Sequence, residues 1–486
     1  MSAADVLAPL QPVGIWRRFA ELTEIPRPPK EEEHARGYVL GWARKLGVDS
    51  AVDDEGNVVI RVPASAGRES APTVVLQAHL DMVCEREPGS SFDPRTGSIN
   101  VVVDGDWVVA EETTLGADNG IGVAAAMAVA EDPGIEHGPL ELLFTVSEEQ
   151  GLDGAKALDP AFVSGRLLVN LDGTSDTSLT IGCAGSTHTF TRLPLELEPM
   201  PDGHLALAVA LSGACGGHSG GDIARGRVNA IKALGRVLGR APLRLACLEG
   251  GVSRNALPRE ARAVVAIARA DETAFRAAAE RVLSALREQH AGTDDALSLS
   301  IEEIDAEEMA NETTSARALA LLAALPSGVV AMNVALPGTA ETSTSVNVAL
   351  TTDGELTLAS MTRSANAAAL ENVVAGIESA AYLAGADVDV QPSYPPWRPD
   401  LDSQLLAVAR STFERVFGIS PVLEVVHGGL ECAVIGERLP GIEMISLGPE
   451  IVGPHAPGER VGISSTQRFY RLLGGLIDDL SRRPVS

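Results

Sequence analysis

Aromatic side chains make up only 3% of this chain, so stacking platforms for single-stranded nucleic acid or for sugars are not expected. Basic residues are also scarce, 38 Lys and Arg against 66 Asp and Glu, for a formal net charge of −28. Binding a phosphate backbone needs clustered Arg and Lys, so nucleic acid is not expected as a partner. The charge serves general solubility and is also compatible with an enzyme that attracts cations. Cysteine is sparse. Cys84, Cys183, Cys215, Cys247 and Cys432 are odd in number and contain no C-x-x-C pair. That argues against a disulfide framework or a cysteine zinc site, and it fits a reducing compartment. Long apolar runs are missing too. The longest stretches, such as Thr73–Val83, are strand-length and end in charge, so neither a bilayer span nor a membrane partner is expected. The opening residues, MSAADVLAPLQPVG, lack the basic and apolar regions of a signal peptide. The expected location is the cytoplasm.

What is present is enough apolar residue, 45%, for more than one core in 486 residues. Residues 13–47 read as two amphipathic helices broken at Ile25-Pro26-Arg27-Pro28-Pro29. Residues 57–63 and 73–79 read as strands, 120–130 as a small-residue helix, and 140–146 and 167–171 as further buried strands. Such alternation predicts an α/β fold with a doubly wound, mainly parallel sheet. The pattern changes near Cys183. Strands are expected at 204–211 and 260–268, and helices at 222–238, 274–286 and 367–381. A hairpin is expected at 345–361, turning on Thr351-Thr352-Asp353-Gly354. This content predicts an inserted α+β domain of two related units, the second at about 313–397. Pro392–Trp397 reads as the return linker, residues 402–416 and 465–479 as helices and 442–447 as a strand. The expected division is a discontinuous domain, 1–185 and 398–486, around an insert, 186–397.

A set of acidic residues and histidines punctuates the first of these domains. His79 and Asp81 end the apolar run TVVLQAHLDMV, and i, i+2 residues of a strand share a side. A carboxylate so placed can hold a ligand imidazole and fix its tautomer. Asp118 lies in TTLGADNGIGVAAAMAVA, near a helix start, where an ordinary N-cap aspartate is also common. Glu148 and Glu149 end PLELLFTVSEEQG beside Gly151, so the chain turns there. One glutamate can then face a metal and the other a water. Asp172 follows LLVNLDG, where a turn aspartate fits as well. His455 sits in the Gly/Pro-rich loop of SLGPEIVGPHAPGERV. Open α/β sheets place their chemistry at the carboxyl ends of their strands. Two histidines with several carboxylates suit a pair of divalent cations with one carboxylate left over as a base.

Taken together, QAHLDMV, TTLGADNGIG, TVSEEQGLDGA, NLDG, GGHSGGDI, RNALPREA, HGGLEC and LGPEIVGPHAPGERV resemble the M20 metallopeptidases over nearly the full length. Within that family the resemblance is to the cytosolic aminoacyl-histidine (Xaa-His, β-alanyl-histidine) dipeptidases. It implies a zinc-peptidase catalytic domain in which Asp118 bridges two zinc ions. His79 and Asp172 would complete one site, and Glu149 and His455 the other. Glu148 would be the general base and Asp81 the residue orienting His79. An aspartate at 172, rather than a glutamate, is usual in the family's aminopeptidases and dipeptidases. The inserted domain would be the lid, with His218 of GGHSGGDI stabilising the oxyanion. Arg254, Asn255 and Arg363 are candidates for gripping the substrate backbone and carboxylate. His427 and Glu431 are expected to support the site or to meet the substrate amine. The implied partner is a small dipeptide. The implied cofactor is two divalent ions, zinc first, with manganese or cobalt suiting such a site as well. A homodimer is allowed, each active site being completed in cis by His218. Competing expectations are a tripeptidase, an N-acyl amino acid deacylase, or a non-catalytic binding protein on the same fold. The intact Glu148 speaks against the last.

Overall fold

The apolar run ahead of His79 forms the strand Val74–His79, buried at every position. A strand buried throughout needs a sheet covered on both faces. In the computed structural model, which describes residues 2–483, this strand lies inside an eight-stranded sheet. The order across it is Asp49–Val52, Val58–Val62, Leu140–Thr145, Val74–His79, Leu167–Asn170, Glu443–Ser446, Ser178–Cys183 and Val422–Val426. The middle of the sheet, from Leu140–Thr145 to Glu443–Ser446, is parallel. The pairings of Asp49–Val52 with Val58–Val62, of Val58–Val62 with Leu140–Thr145 and of Glu443–Ser446 with Ser178–Cys183 are antiparallel. The first two of these strands are joined by a short turn, which permits a hairpin and forbids a crossover. The α/β sheet is therefore mixed, with the expected parallel arrangement at its centre.

The chain packs as two compact units. One contains residues 2–182, 399–424 and 430–483, and the other residues 183–398 and 425–429. In the first, the helix Ala117–Glu131 is buried almost throughout. Its small residues allow that depth. A Cβ on Gly122 would lie 2.6 Å from the Leu171 carbonyl oxygen and 2.0 Å from Asn119 Oδ1. A second, four-stranded sheet pairs the hairpin Val101–Asp104 and Trp107–Ala110 with Arg460–Gly462, which in turn pairs with Ile451–Val452. This small sheet was not legible in the sequence. It pins both ends of the loop that carries His455.

The second unit holds a nine-stranded sheet. Eight of its strands group into two sets with one topology, and the ninth, Gly328–Met332, pairs with Ala340–Thr352. The first set is His204–Ser212, helix Ala230–Leu238, Arg244–Gly250, Ala261–Ala268, helix Glu272–Gln289 and Ser298–Ile304. The second is Gly185–Pro194, helix Glu312–Ala324, Ala340–Thr352, Glu355–Ser364, helix Ala367–Ala384 and Asp387–Tyr394. In each set the fourth strand lies beside the first, then come the third and the second. The sets join where Arg244–Gly250 meets Ala340–Thr352.

The second set differs from the expected 313–397 segment, because its first strand precedes the whole of the first set. Two further expectations are corrected. The helix expected over 222–238 is only Ala230–Leu238, because Gly226 sits at φ 69°, a left-handed conformation that ends the preceding turn. The expected linker Pro392–Trp397 is strand as far as Tyr394, paired with Ser186 and Thr187. The hairpin falls on Asp353 and Gly354, both at positive φ, as the Asp-Gly signal requires.

Candidate active site

Because Leu140–Thr145, Val74–His79 and Leu167–Asn170 run parallel side by side, their carboxyl ends share one edge. Glu148 and Glu149, His79 and Asp81, and Asp172 follow from those three ends. Asp118 comes to the same place from the start of its helix. It is not an N-cap. Its backbone departs from helical geometry at φ −79° and ψ 108°, and the helix start has no side-chain cap. Its carboxylate instead faces two histidines. Oδ1 lies 3.0 Å from His79 Nε2 and Oδ2 lies 3.3 Å from His455 Nε2. His79 Nε2 is also 3.7 Å from Asp172 Oδ1, and His455 Nε2 is 3.0 Å from Glu149 Oε2. His79–Asp118–Asp172 and Asp118–Glu149–His455 each bring three ligand atoms within 4.8 Å of one another, as do His79, Glu148 and Glu149.

The supports are carboxylates accepting backbone N–H groups. Asp81 Oδ1 is 3.3 Å from His79 Nδ1, and its two oxygens accept from Glu148 N and Glu149 N at 3.1 Å each. One buried aspartate thus turns the His79 ring, leaving Nε2 toward Asp118, and fixes the turn that carries both glutamates. Glu32 accepts from Ser147 N at 2.9 Å, next to that turn. Glu459 accepts from Leu115 N, Gly116 N and Asp118 N, and Arg27 donates to the carbonyls of Leu80, Asp81 and Gly116. Sequence reasoning missed Glu32, Glu459 and Arg27. Glu459 and Arg27 lay inside motifs already singled out, HAPGERV and IPRPP, but their partners are backbone atoms far away in the chain.

The electrostatics are those of crowded acid groups around two imidazoles. Burial raises Asp172 to about 7, helped by the charge of Asp118. Burial also raises Glu148 well above the carboxylate range. The His79 charge opposes this, while Asp172, Glu149 and Glu431 add to it. His455 is held up to about 11 by its hydrogen bonds to Asp118 and Glu149. Burial works against a charge on His79, yet bonds to Asp118, Asp172 and Asp81 outweigh it and keep the proton on. In Asp118 the bonds to His455 and His79 outweigh burial and hold the carboxyl low. Protons thus sit between each imidazole and its carboxylates, where a cation would satisfy the same atoms. Glu149 Oε1 is buried without a hydrogen-bond partner. A tetrahedral zinc with bonds of about 2.0–2.1 Å separates its donors by roughly 3.4 Å. The separations on the His79 side, 3.0 and 3.7 Å, bracket that value and those on the His455 side, 3.3 and 3.0 Å, fall just below it, so the donor set fits a divalent cation on each side of Asp118. Glu431, fully buried, accepts from Gln77 at 2.6 Å and Thr145 at 2.7 Å. Burial raises it to about 7.

The remaining candidates belong to the second unit. His218 lies in the short strand Gly217–His218, opposite Ala256, which brings Asn255 close: Ser219 N donates to the Asn255 carbonyl at 2.7 Å. His218 Nδ1 accepts from Gly221 N at 3.0 Å and from Gly220 N at 3.3 Å. An acceptor Nδ1 puts the ring proton on Nε2. Burial and the Arg363 charge hold His218 below its ordinary pKa, so the ring is a neutral donor. A Cβ on Gly220 would lie 2.2 Å from the His427 carbonyl oxygen, so the GGHSGG stretch packs backbone to backbone. Arg363 is 3% exposed and donates to Tyr394 Oη at 2.8 Å, while its Nε has no partner. Nearby, His427 Nε2 pairs with Ser343 Oγ at 2.7 Å. Arg254 is exposed and lies over the Phe190 ring at 6.0 Å.

Two histidines and a ring of carboxylates at the carboxyl edge of a parallel α/β core are the apparatus of a metal-dependent hydrolase. Comparison with known proteins narrows this. The family model described as peptidase family M20/M25/M40 matches residues 256–479, a peptidase dimerisation domain matches 209–294, and peptidase family M28 matches 57–193. The chain is 37% identical over 479 residues to the cytosol non-specific dipeptidase of Escherichia coli (strain K12), covering 98% of this chain and 99% of that one. It is similar to the crystal structure of aminoacylhistidine dipeptidase from Vibrio alginolyticus, with TM-score 0.89, 36% identity and 97% of each chain covered. An aminopeptidase PepT from Bacillus cereus, 18% identical with TM-score 0.57 over 97% of this chain and 100% of that one, shares the fold. The chain belongs to the M20 family of peptidases. Among the described residues no helix is long and apolar enough to cross a membrane.

Proposed function

We propose that this M20 metallo-dipeptidase hydrolyses Xaa-His dipeptides, β-Ala-His among them, in the cytoplasm, at a site for two divalent ions with zinc the first choice. The observation that carries this reading is Asp118, whose two carboxylate oxygens face two different histidines, each backed by a further carboxylate. His79, Asp118 and Asp172 would hold one ion, and Asp118, Glu149 and His455 the other. When bound, such a pair supplies Lewis acidity to the scissile carbonyl and acidifies water to a pKa of roughly 7. The name of the Vibrio alginolyticus relative supports the aminoacyl-histidine class, and that of the Escherichia coli relative, a cytosol non-specific dipeptidase, supports dipeptides and the compartment.

The residues of the chain supply the rest. Glu148 takes the proton of the attacking water and hands it to the leaving amine. Its upward shift suits a group that must both accept and release a proton. His218, neutral with its proton on Nε2, is the donor assigned to the oxyanion. Arg363, a buried guanidinium with an unpartnered Nε, is assigned to the substrate carboxylate, with Arg254 and Asn255 on its backbone. His427 is assigned a supporting place beside Arg363. Glu431, bonded to Gln77 and Thr145, is assigned to hold the sheet beneath His79 rather than to meet substrate. A homodimer with each site completed in cis is part of the reading, and the dimerisation-domain match supports the dimer.

The test is a substrate panel on zinc-reconstituted protein, with β-Ala-His and other dipeptides set against tripeptides and N-acetyl amino acids. Preferential cleavage of dipeptides is expected. Turnover concentrated on tripeptides or N-acetyl amino acids would transfer the chain to the family's other activities.

A further inference from the structure

Three of the proposed metal residues sit on segments from distant parts of the chain. His79 ends a strand, Asp118 starts a helix, and His455 is carried by the loop between Ile451–Val452 and Arg460–Gly462. Side-chain bonds to backbone do connect them, and they converge on one turn. Glu459 is 2% exposed and accepts from Leu115 N at 2.7 Å, Gly116 N at 2.9 Å and Asp118 N at 3.1 Å. Arg27 is 1% exposed and donates to Gly116 O at 2.6 Å, Leu80 O at 3.0 Å and Asp81 O at 2.9 Å. Gly116 is thus gripped on both sides, its N–H by a carboxylate and its C=O by a guanidinium. The turn admits only glycine. Its φ is +69°, and a Cβ would lie 2.6 Å from Arg27 Nη2 and 2.5 Å from Met82 Sδ.

Among the described residues Arg27 makes no ion pair, although it is buried. A buried, unpaired guanidinium is a poor way to gain stability. Its three carbonyl partners, however, belong to the segment just after His79 and to the segment just before Asp118. Glu459 in turn lies four residues beyond His455 and binds the backbone nitrogen of Asp118 itself. We infer that Arg27 and Glu459 are positioning residues, a clasp that sets the separation of Asp118 from His79 on one side and from His455 on the other. This inference rests on the two-ion reading of the site. Outer partners of metal ligands typically govern roughly 10–100-fold in metal affinity.

The experiment strips the full chain with a chelator and titrates it with zinc against a chromophoric competitor. The samples are wild type, Asp118→Ala, Glu459→Gln and Arg27→Lys. Glu459→Gln keeps the shape but sets an amide N–H against backbone donors. Arg27→Lys keeps the charge but cannot fork between two segments. Each is expected to weaken zinc binding by about 10–100-fold. Glu459→Asp, one methylene short, replaces the glutamine variant if that fails to fold. Zinc affinity within about threefold of wild type in these variants, even with lowered melting temperature, would overturn the clasp and leave a merely structural role. Wild type that binds no zinc, or Asp118→Ala that binds as wild type does, would overturn the metal-site reading instead.

Discussion

The proposed reading gives the adjacent Glu148 and Glu149 different roles, a base and a metal ligand, because their surroundings differ. Glu149 Oε2 faces His455 at 3.0 Å, whereas Glu148 is shifted upward by burial. Glu148→Gln is therefore expected to lower kcat by about 10²–10⁴ with metal content unchanged. Metal analysis beside steady-state kinetics decides it, and a near-normal kcat would move the base elsewhere. Removing one oxyanion donor costs about 10²–10³ in kcat, which is the expectation for His218→Ala. An effect confined to KM would make His218 a ground-state contact. At this scale the acidic residues and histidines that the fold gathers were legible because each stands at the end of an apolar run or in a rigid loop. Glu459 and Arg27 were not, because their bonds go to backbone groups that only the fold brings near.

Elements show where backbone approach, rather than side-chain chemistry, sets the constraint. In Ala117–Glu131 the glycines and alanines let the helix reach the loop after Leu167–Asn170. Gly122→Ala forces a Cβ to 2.6 Å from the Leu171 carbonyl oxygen, and overpacking of this kind costs about 1–3 kcal/mol. At Gly37, in Glu33–Leu46, an added Cβ would meet nothing within 4 Å, so Gly37→Ala is expected to gain about 0.5–1 kcal/mol. Thermal melts of the two variants should move in opposite directions.

The strand His427 follows, Val422–Val426, brings it to Ser343. Burial, with the charge of Arg363, lowers its pKa to about 4. An unfolded histidine titrates near 6.5, so between about pH 6.5 and 4 the unfolded chain takes up the proton first. Stability present above 6.5 is therefore lost as pH falls through that window. The melting temperature of wild type should drop more steeply there than that of His427→Gln, and parallel slopes would contradict the shift. Elements with strong periodicity were legible in the sequence. The small sheet around His455 was not, since its strands are two to four residues long and its two local pairs join only where Arg460–Gly462 meets the distant Trp107–Ala110.

Over the whole molecule, the topology of the second unit explains why its internal repeat was hard to see. One β-α-β-β-α-β set is nested inside the other, so the first strand of the outer set, Gly185–Pro194, is separated from its helix, Glu312–Ala324, by the entire inner set. The acidity of the chain has a local counterpart in the first unit, where Asp118, Glu148, Glu149, Asp172 and Glu431 crowd two histidines. Divalent cations would relieve that crowding and, by binding only the folded state, would stabilise it.

Stepwise zinc addition to chelator-stripped protein, with β-Ala-His hydrolysis and thermal midpoint read at each step, tests this most directly. The expected result is no turnover at the start, a rise to a plateau at two equivalents per chain, and a midpoint that climbs alongside. Full turnover in the stripped protein, or a plateau complete at one equivalent, would contradict a dipeptidase built on two ions bridged by Asp118.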